Sequence, residues 1–415
     1  MRIAVVGGGV SGLVAAHLLH REHEVTLFEA ARNVGGHTNT IRVDTADETH
    51  YVDTGFMVFN DHNYPHFQRL LDRLGVAWQP SQMSFGVSDG RGGFEYSSTN
   101  PNGLFATRSH IVSPRFHRML VEVRRFQRQA RQLLLEERED PSLGEWLERG
   151  RFSRHFIDRL IIPQVSAVWS TDPRLAWGFP ARFLFTFFDN HGVLHLRHRP
   201  KWRTVTSGSH TYVHALTAPF RRRIRTGAPV EAIERYDDRV VLRTRGADPA
   251  QFDHVILAVH SDQALRMLAD PSDREHEILG AIPYQRNEAV LHTDVRLLPR
   301  RRRAWASWNY HLCPEPHGQT RVTYHMNRLQ SLRADREFCV TLNRSEAIDP
   351  AKVIRTIEYS HPVYTSAGAV AQKRHHEISS TARRTHFCGA YWGWGFHEDG
   401  VVSAMRACEP LGGRL

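Results

Sequence analysis

Gly7, Gly9 and Gly12 fall at G-x-G-x-x-G spacing directly after the apolar run Ile3-Ala4-Val5-Val6. Glycines so placed let a chain turn sharply, bring bare backbone against a pyrophosphate and let a helix press close to a strand. The phosphate then meets unpaired N–H groups at the start of the following helix, which Leu13–Leu19 suits. A second apolar run, Val25-Thr26-Leu27-Phe28, ends in Glu29, near the spacing at which a carboxylate accepts hydrogen bonds from a ribose. Arg32-Asn33-Val34-Gly35-Gly36-His37-Thr38 follows at once, and its glycine pair offers more backbone for a bulky cofactor to pass, which favours FAD over NAD.

The other informative stretch is Phe387-Cys388-Gly389-Ala390-Tyr391-Trp392-Gly393-Trp394-Gly395-Phe396-His397-Glu398-Asp399-Gly400. An apolar pair runs into a loop of glycines and aromatics, and Val401–Cys408 suits a helix starting at Asp399-Gly400. A helix N-terminus carries about half a positive charge. That charge is useful at the pyrimidine edge of a flavin, where negative charge develops on reduction.

Positioning these two ends takes a sheet that begins near residue 3 and is resumed late. Asp253–Val259 has the apolar content of another buried parallel strand, and Arg225–Ile233 and Val240–Thr244 are further strand candidates. We therefore expect an α/β chain of two domains: a discontinuous Rossmann-like FAD domain (1–60, 202–270, 380–415) and an inserted α+β substrate domain (61–201, 271–379). Tyr64–Leu74 has helical periodicity and Gly75 stops it. Pro114–Glu139 is one long helix, with Phe116, Met119, Leu120, Val123 and Phe126 on one stripe and its arginines largely elsewhere. Its basic side faces either water or an anionic membrane. A further helix runs to Ile162, where Pro163 breaks it.

Formal net charge is +10, and of 54 basic residues only Lys201, Lys352 and Lys373 are lysines. Such a balance permits contact with anionic lipid; no basic run interleaved with aromatics supports nucleic acid as a partner. Cys313, Cys339, Cys388 and Cys408 form no C-x-x-C pair, so no metal site or disulfide framework is expected. The first strand leaves no room for a signal peptide, and no apolar stretch reaches the roughly 20 residues of a spanning helix. A cytoplasmic protein, soluble or peripheral to the membrane, is the expectation.

With both ends in view, the chain resembles the FAD-dependent amine oxidase and phytoene desaturase superfamily, and within it the bacterial amine-oxidase-like proteins associated with cyclopropane-synthase-like methyltransferases. The likeness also rests on Asp53-Thr54-Gly55, Asn190-His191-Gly192, His260–Leu265 and Ser307-Trp308-Asn309-Tyr310. It implies pyrophosphate contacts from Gly7, Gly9 and Gly12 and a ribose contact from Glu29. Arg32 and the Gly35-Gly36 loop would follow the phosphate and ribityl portion, Val230 would meet adenine, and Gly400-Val401 would sit by the isoalloxazine. Ser11, Ala30, His37, Thr38, Gly55 and Gly389 complete the implied cofactor shell. Two departures stand out. Many members carry an acidic residue after the C-terminal glycine, where this chain has Ala390-Tyr391. Amine oxidases commonly place a lysine near flavin N5 from the second lobe, and 271–351 contains none.

The methyltransferase association implies a lipid acyl chain as substrate and a lipid methyltransferase as partner. Removing hydride from a methyl-branched or allylic carbon to flavin N5 requires positioning and exclusion of water. Trp169, Phe187, Trp308, Tyr310, Tyr391, Trp392 and Trp394 are candidates for an apolar pocket. His397 and Glu398, then His191 and Tyr324, are candidates for the base that takes the second proton. The alternatives are an amine oxidase producing imine and peroxide, or a redox-neutral or non-catalytic flavoprotein partner of the methyltransferase.

Overall fold

Arg2–Val6, with four of its five residues buried, is the middle strand of a five-stranded parallel sheet. The order is Ile224–Thr226, Glu24–Glu29, Arg2–Val6, His254–Leu257, Thr385–Phe387. The computed structural model describes residues 1–45, 48–136, 140–195, 199–313 and 318–415. Parallel neighbours need crossovers, and here the crossovers carry most of the chain. One face of the sheet buries the helices Val10–Leu19 and His397–Cys408; the other packs on a three-stranded antiparallel sheet, Val230–Arg235, Val240–Thr244 and Ala250–Phe252. The run Arg225–Ile233 is thus two strands, because Gly227, at φ +63°, turns the chain out of the parallel sheet.

A second sheet of seven strands is ordered Val353–Pro362, Tyr284–His292, Cys339–Leu342, Val322–His325, Trp308–His311, Phe85–Ser88, Glu95–Ser97. Its pairs are antiparallel except Trp308–His311 beside Phe85–Ser88. Over it lie the helices Pro114–Leu135, Ile162–Trp169 and Ala181–Asn190, with Phe126, Phe156, Phe185 and Phe188 in a shared aromatic core. The first of these ends at Leu135, and the expected continuation over 137–139 lies outside the described residues.

Pro163 does not break its helix. The chain passes through a π-helical segment, Ile157–Ile161, straight into Ile162–Trp169, with the N–H of Ile162 donating five residues back to the carbonyl of Ile157. In an α-helix the carbonyl of Arg159 would await the N–H that proline lacks; here it accepts the Tyr96 hydroxyl at 2.8 Å. The C-terminal helix begins at His397, earlier than its sequence suggested, because Asp399 reaches back to accept the N–H of Phe396 at 2.9 Å. No helix among the described residues is long and apolar enough to cross a membrane.

Candidate active site

Where the central parallel strands end, their following loops surround a cavity of about 680 Å³. Ligands of open α/β sheets bind at this edge. Gly7, at φ +105°, donates its N–H to Phe28 across the strand ends at 2.8 Å. A Cβ on Gly12 would fall 1.9 Å from the Gly7 carbonyl, so that glycine lets the helix Val10–Leu19 close on the strand. Gly9 differs: a Cβ there would meet nothing within 4 Å, because the position faces the cavity. The second glycine pair is tied to the first, Gly35 donating to the carbonyl of Gly8 at 2.7 Å. Glu29 accepts the N–H of Gly8 at 2.6 Å and of Ala31 at 2.7 Å, one on each oxygen, and each oxygen keeps a lone pair for a sugar hydroxyl.

Two helix N-termini converge on the cavity. The helix Val10–Leu19 starts from Gly9 without a side-chain cap, leaving its first N–H groups for an anion. The C-terminal helix meets it at Gly400, where a Cβ would lie 2.7 Å from Val10 and 3.0 Å from the Ser11 hydroxyl. Burial pushes Asp399 up to about 7, which lowers the negative charge at that second N-terminus. Four histidines, His37, His260, His361 and His397, line the cavity. Burial is the first cause of each one's lowered pKa, to about 4 for His361 and about 3 for His397. All four are neutral near pH 7.

Ser11, Ala30, Gly35, Gly36, His37, Gly55, Val230 and Gly389 also line the cavity, with Gly7, Gly9 and Glu29. Arg32 is exposed and outside the wall. Thr38 stands behind it, bonded to Tyr212 and His397. Val401 is fully buried between the two helices that meet at Gly400, so neither it nor Gly400 forms wall.

The candidate bases are corrected by the geometry. His397 stacks on Phe56 with centroids 3.5 Å apart, and its Nε2 is engaged by Thr38 at 2.9 Å and Tyr212 at 3.1 Å. It lines the cavity as a neutral wall and not as a proton acceptor. Glu398 turns away to the helix Pro65–Leu74, accepting the N–H of His66 at 3.0 Å and of Phe67 at 2.9 Å, a tertiary N-terminal cap. His191 donates Nδ1 to the Phe187 carbonyl at 2.9 Å and stacks on that ring, outside the wall. Tyr324 alone of the four presents a hydroxyl-bearing side chain there; burial raises it to about 12 and Ser170 is its hydrogen-bond partner.

Of the candidate pocket aromatics, Trp169, Trp308, Tyr391 and Trp394 form wall. Phe187 belongs to the core, Trp392 packs edge-on to His375 at 4.7 Å, and Tyr310 lines a separate cleft. Two contributors escaped sequence reasoning. Tyr359 and His361, alternate residues of one strand, flank His37, the first stacked at 4.8 Å and the second edge-on at 5.1 Å; their alternation was the signal for them. Asp53, one of the residues that carry the resemblance, is pushed up to about 6 by burial and accepts from the Ser209 hydroxyl at 2.7 Å and from Gln330 at 2.9 Å.

The residues present fit FAD. Bare backbone at Gly9 opens on the cavity, and His37 Nε2 and the Tyr364 hydroxyl are buried there without a partner among the described residues. Residues 10–297 match the family model for flavin containing amine oxidoreductases. The chain belongs to that family. Its members' cofactor is FAD, and this flavoprotein is an FAD-dependent oxidoreductase. Over 45 residues the chain is 51% identical to a 4,4'-diapophytoene desaturase (4,4'-diaponeurosporene-forming) of Staphylococcus aureus, spanning 11% of this chain and only 9% of that protein. The same fold is found in cyclohexylamine oxidase from Brevibacterium oxydans (TM-score 0.70, 16% identical, 99% of each chain). It also occurs in a CLA-producing fatty acid isomerase from P. acnes (TM-score 0.67, 17% identical, 99% of this chain and 98% of that one).

Proposed function

We propose that this flavoprotein is a desaturase of methyl-branched or unsaturated fatty acyl chains of membrane lipids. The observation that carries the reading is the wall opposite the glycine loops: Val168, Trp169, Trp308, Tyr324, Leu342 and Trp394. Among the described residues it holds no carboxylate to neutralise an ammonium group and no lysine. The charged side chains of the cavity, Glu29, Glu231 and Arg266, accompany the Glu29 and Val230 end. An uncharged chain suits such a wall, whereas a protonated amine would lose its hydration there without a counter-charge. The names of two relatives, a diapophytoene desaturase and a fatty acid isomerase, support apolar-chain chemistry.

When bound, FAD supplies a two-electron acceptor. The chain holds it through the glycine loops, the helix starting at Val10 and Glu29. The aromatic wall then positions a saturated carbon pair and excludes water. Trp169 is fixed for this by its indole N–H on the Trp394 carbonyl at 3.1 Å. Tyr324 stays protonated at neutral pH, so it takes the second proton of the CH–CH pair only as a relay, accepting it while its own hydroxyl proton passes by way of Ser170 toward solvent. The partner enzyme implied by the resemblance, a lipid methyltransferase, belongs to the same proposal: it would install the branch at which hydride loss is easiest.

Anaerobic mixing of the FAD-loaded protein with methyl-branched and unsaturated acyl lipids tests the reading. Bleaching of the oxidised flavin band with a new double bond in the recovered lipid is expected. Bleaching by an amine panel alone would replace it with amine oxidation, and a shifted double bond without bleaching would replace it with isomerisation.

A further inference from the structure

On the substrate lobe a second cleft, of about 820 Å³, is lined by Arg115, Arg118, Arg154, Arg159, Arg174 and Arg321. Four of the six have acidic neighbours: Arg118 faces Glu122 at 3.5 Å, Arg154 faces Asp158 at 3.6 Å, Arg174 holds Asp172 at 2.7 Å and Arg321 faces Glu346 at 3.4 Å. Arg115 and Arg159 have no carboxylate within 4 Å among the described residues. The cleft therefore keeps excess positive charge. His155 in its lining has its pKa lowered by burial and then by Arg159 and Arg115.

The rim is apolar. Ile111, Val112, Val121 and Leu175 are 51%, 80%, 68% and 47% exposed, on the segments that supply Arg115, Arg118 and Arg174. Exposed aliphatics interleaved with arginines are the composition of a surface that enters the headgroup region of a bilayer. The cleft also adjoins the flavin cavity. Trp308 lines the cavity and Tyr310 the cleft, two residues apart on one face of one strand, about 7 Å.

We propose that the arginine cleft is the headgroup seat of a membrane-docking face, and that it takes the phosphate of an anionic phospholipid whose acyl chain is presented to the flavin cavity. The choice of a phospholipid over another phosphate-bearing ligand rests on the acyl-lipid reading above.

The FAD-loaded protein is sedimented at low ionic strength with vesicles of phosphatidylcholine alone or with about one-third phosphatidylglycerol. Preferential binding to the anionic vesicles is expected, falling with salt. Arg115→Gln/Arg159→Gln should weaken it on the order of 30-fold while flavin content and melting temperature stay unchanged. Dihexanoyl-phosphatidylglycerol should displace the protein from the vesicles. Equal binding by the double variant, no preference for anionic vesicles, or displacement by inorganic phosphate as effective as by the short-chain lipid would each overturn the proposal. Flavin reduction is read separately on acyl lipid in neutral detergent micelles. Lost vesicle preference with retained reduction rejects the headgroup seat alone, and retained vesicle binding without reduction rejects the desaturase alone.

Discussion

Gly9 and Gly12 share one motif but have opposite physical reasons to be glycine. Gly9 has extended backbone, φ −75° and ψ −179°, and open space beside it. Gly9→Ala should leave the apoprotein as stable or more stable by about 0.4–1 kcal/mol, yet weaken FAD binding about tenfold or more, since only about 1.4 kcal/mol is needed. Gly12→Ala drives a methyl into the Gly7 carbonyl and should cost more than about 3 kcal/mol of fold stability. Melting of the apoproteins and flavin titration separate the two. Glu398 allows a similar separation between chemistry and scaffolding. Glu398→Ala removes the cap of the helix Pro65–Leu74 and should cost about 1–2 kcal/mol, with flavin reduction per bound FAD unchanged; a loss of 100-fold or so in reduction rate would restore it as a base.

At the scale of elements, the π-helical segment before Pro163 is the least expected feature and the most testable. Its account requires that Tyr96 and Pro163 be coupled. Tyr96→Phe strips a buried carbonyl of its donor and should cost about 1–3 kcal/mol. In a Pro163→Ala background, residue 163 regains an N–H and the same change should cost markedly less; a double-mutant cycle in denaturant reads the difference. This element also shows what was legible in the sequence. The glycine loops and Glu29 were, because a phosphate cradle is a local device whose whole pattern lies within thirty residues. The Pro163 helix was not, because its survival depends on Tyr96, some 67 positions upstream. His397 and Glu398 were misjudged for the same reason: proximity to the loop was visible, but Thr38, Tyr212 and the helix that Glu398 caps come from elsewhere in the chain.

Across the whole molecule, buried histidines set the response to acid. His110, His191, His292, His311, His361, His386 and His397 are all held by burial to about 3 or 4, below the usual 6.5. The unfolded chain therefore binds more protons between those values, and stability falls as pH drops from about 6.5 toward 4. Asp53 and Asp399 act in the opposite sense, their raised values favouring the protonated fold and costing stability as pH rises through about 6 and 7. With seven histidines against two aspartates the net expectation is acid lability, seen as a lower melting temperature at pH 5 than at pH 7 and as release of fluorescent flavin. A melting temperature constant over that range would show that these rings are protonated in the fold.

The fifth strand of the parallel sheet, Thr385–Phe387, and the helix that abuts Val10 at Gly400 are synthesised long after the glycine loop they close upon. A ribosome must therefore pass residue 400 before the cradle made around Gly7 to Gly12 can shut. Nascent chains stalled short of residue 397 should emerge without bound flavin, and cofactor supply can act on this protein only after translation, as a late fold-completing ligand.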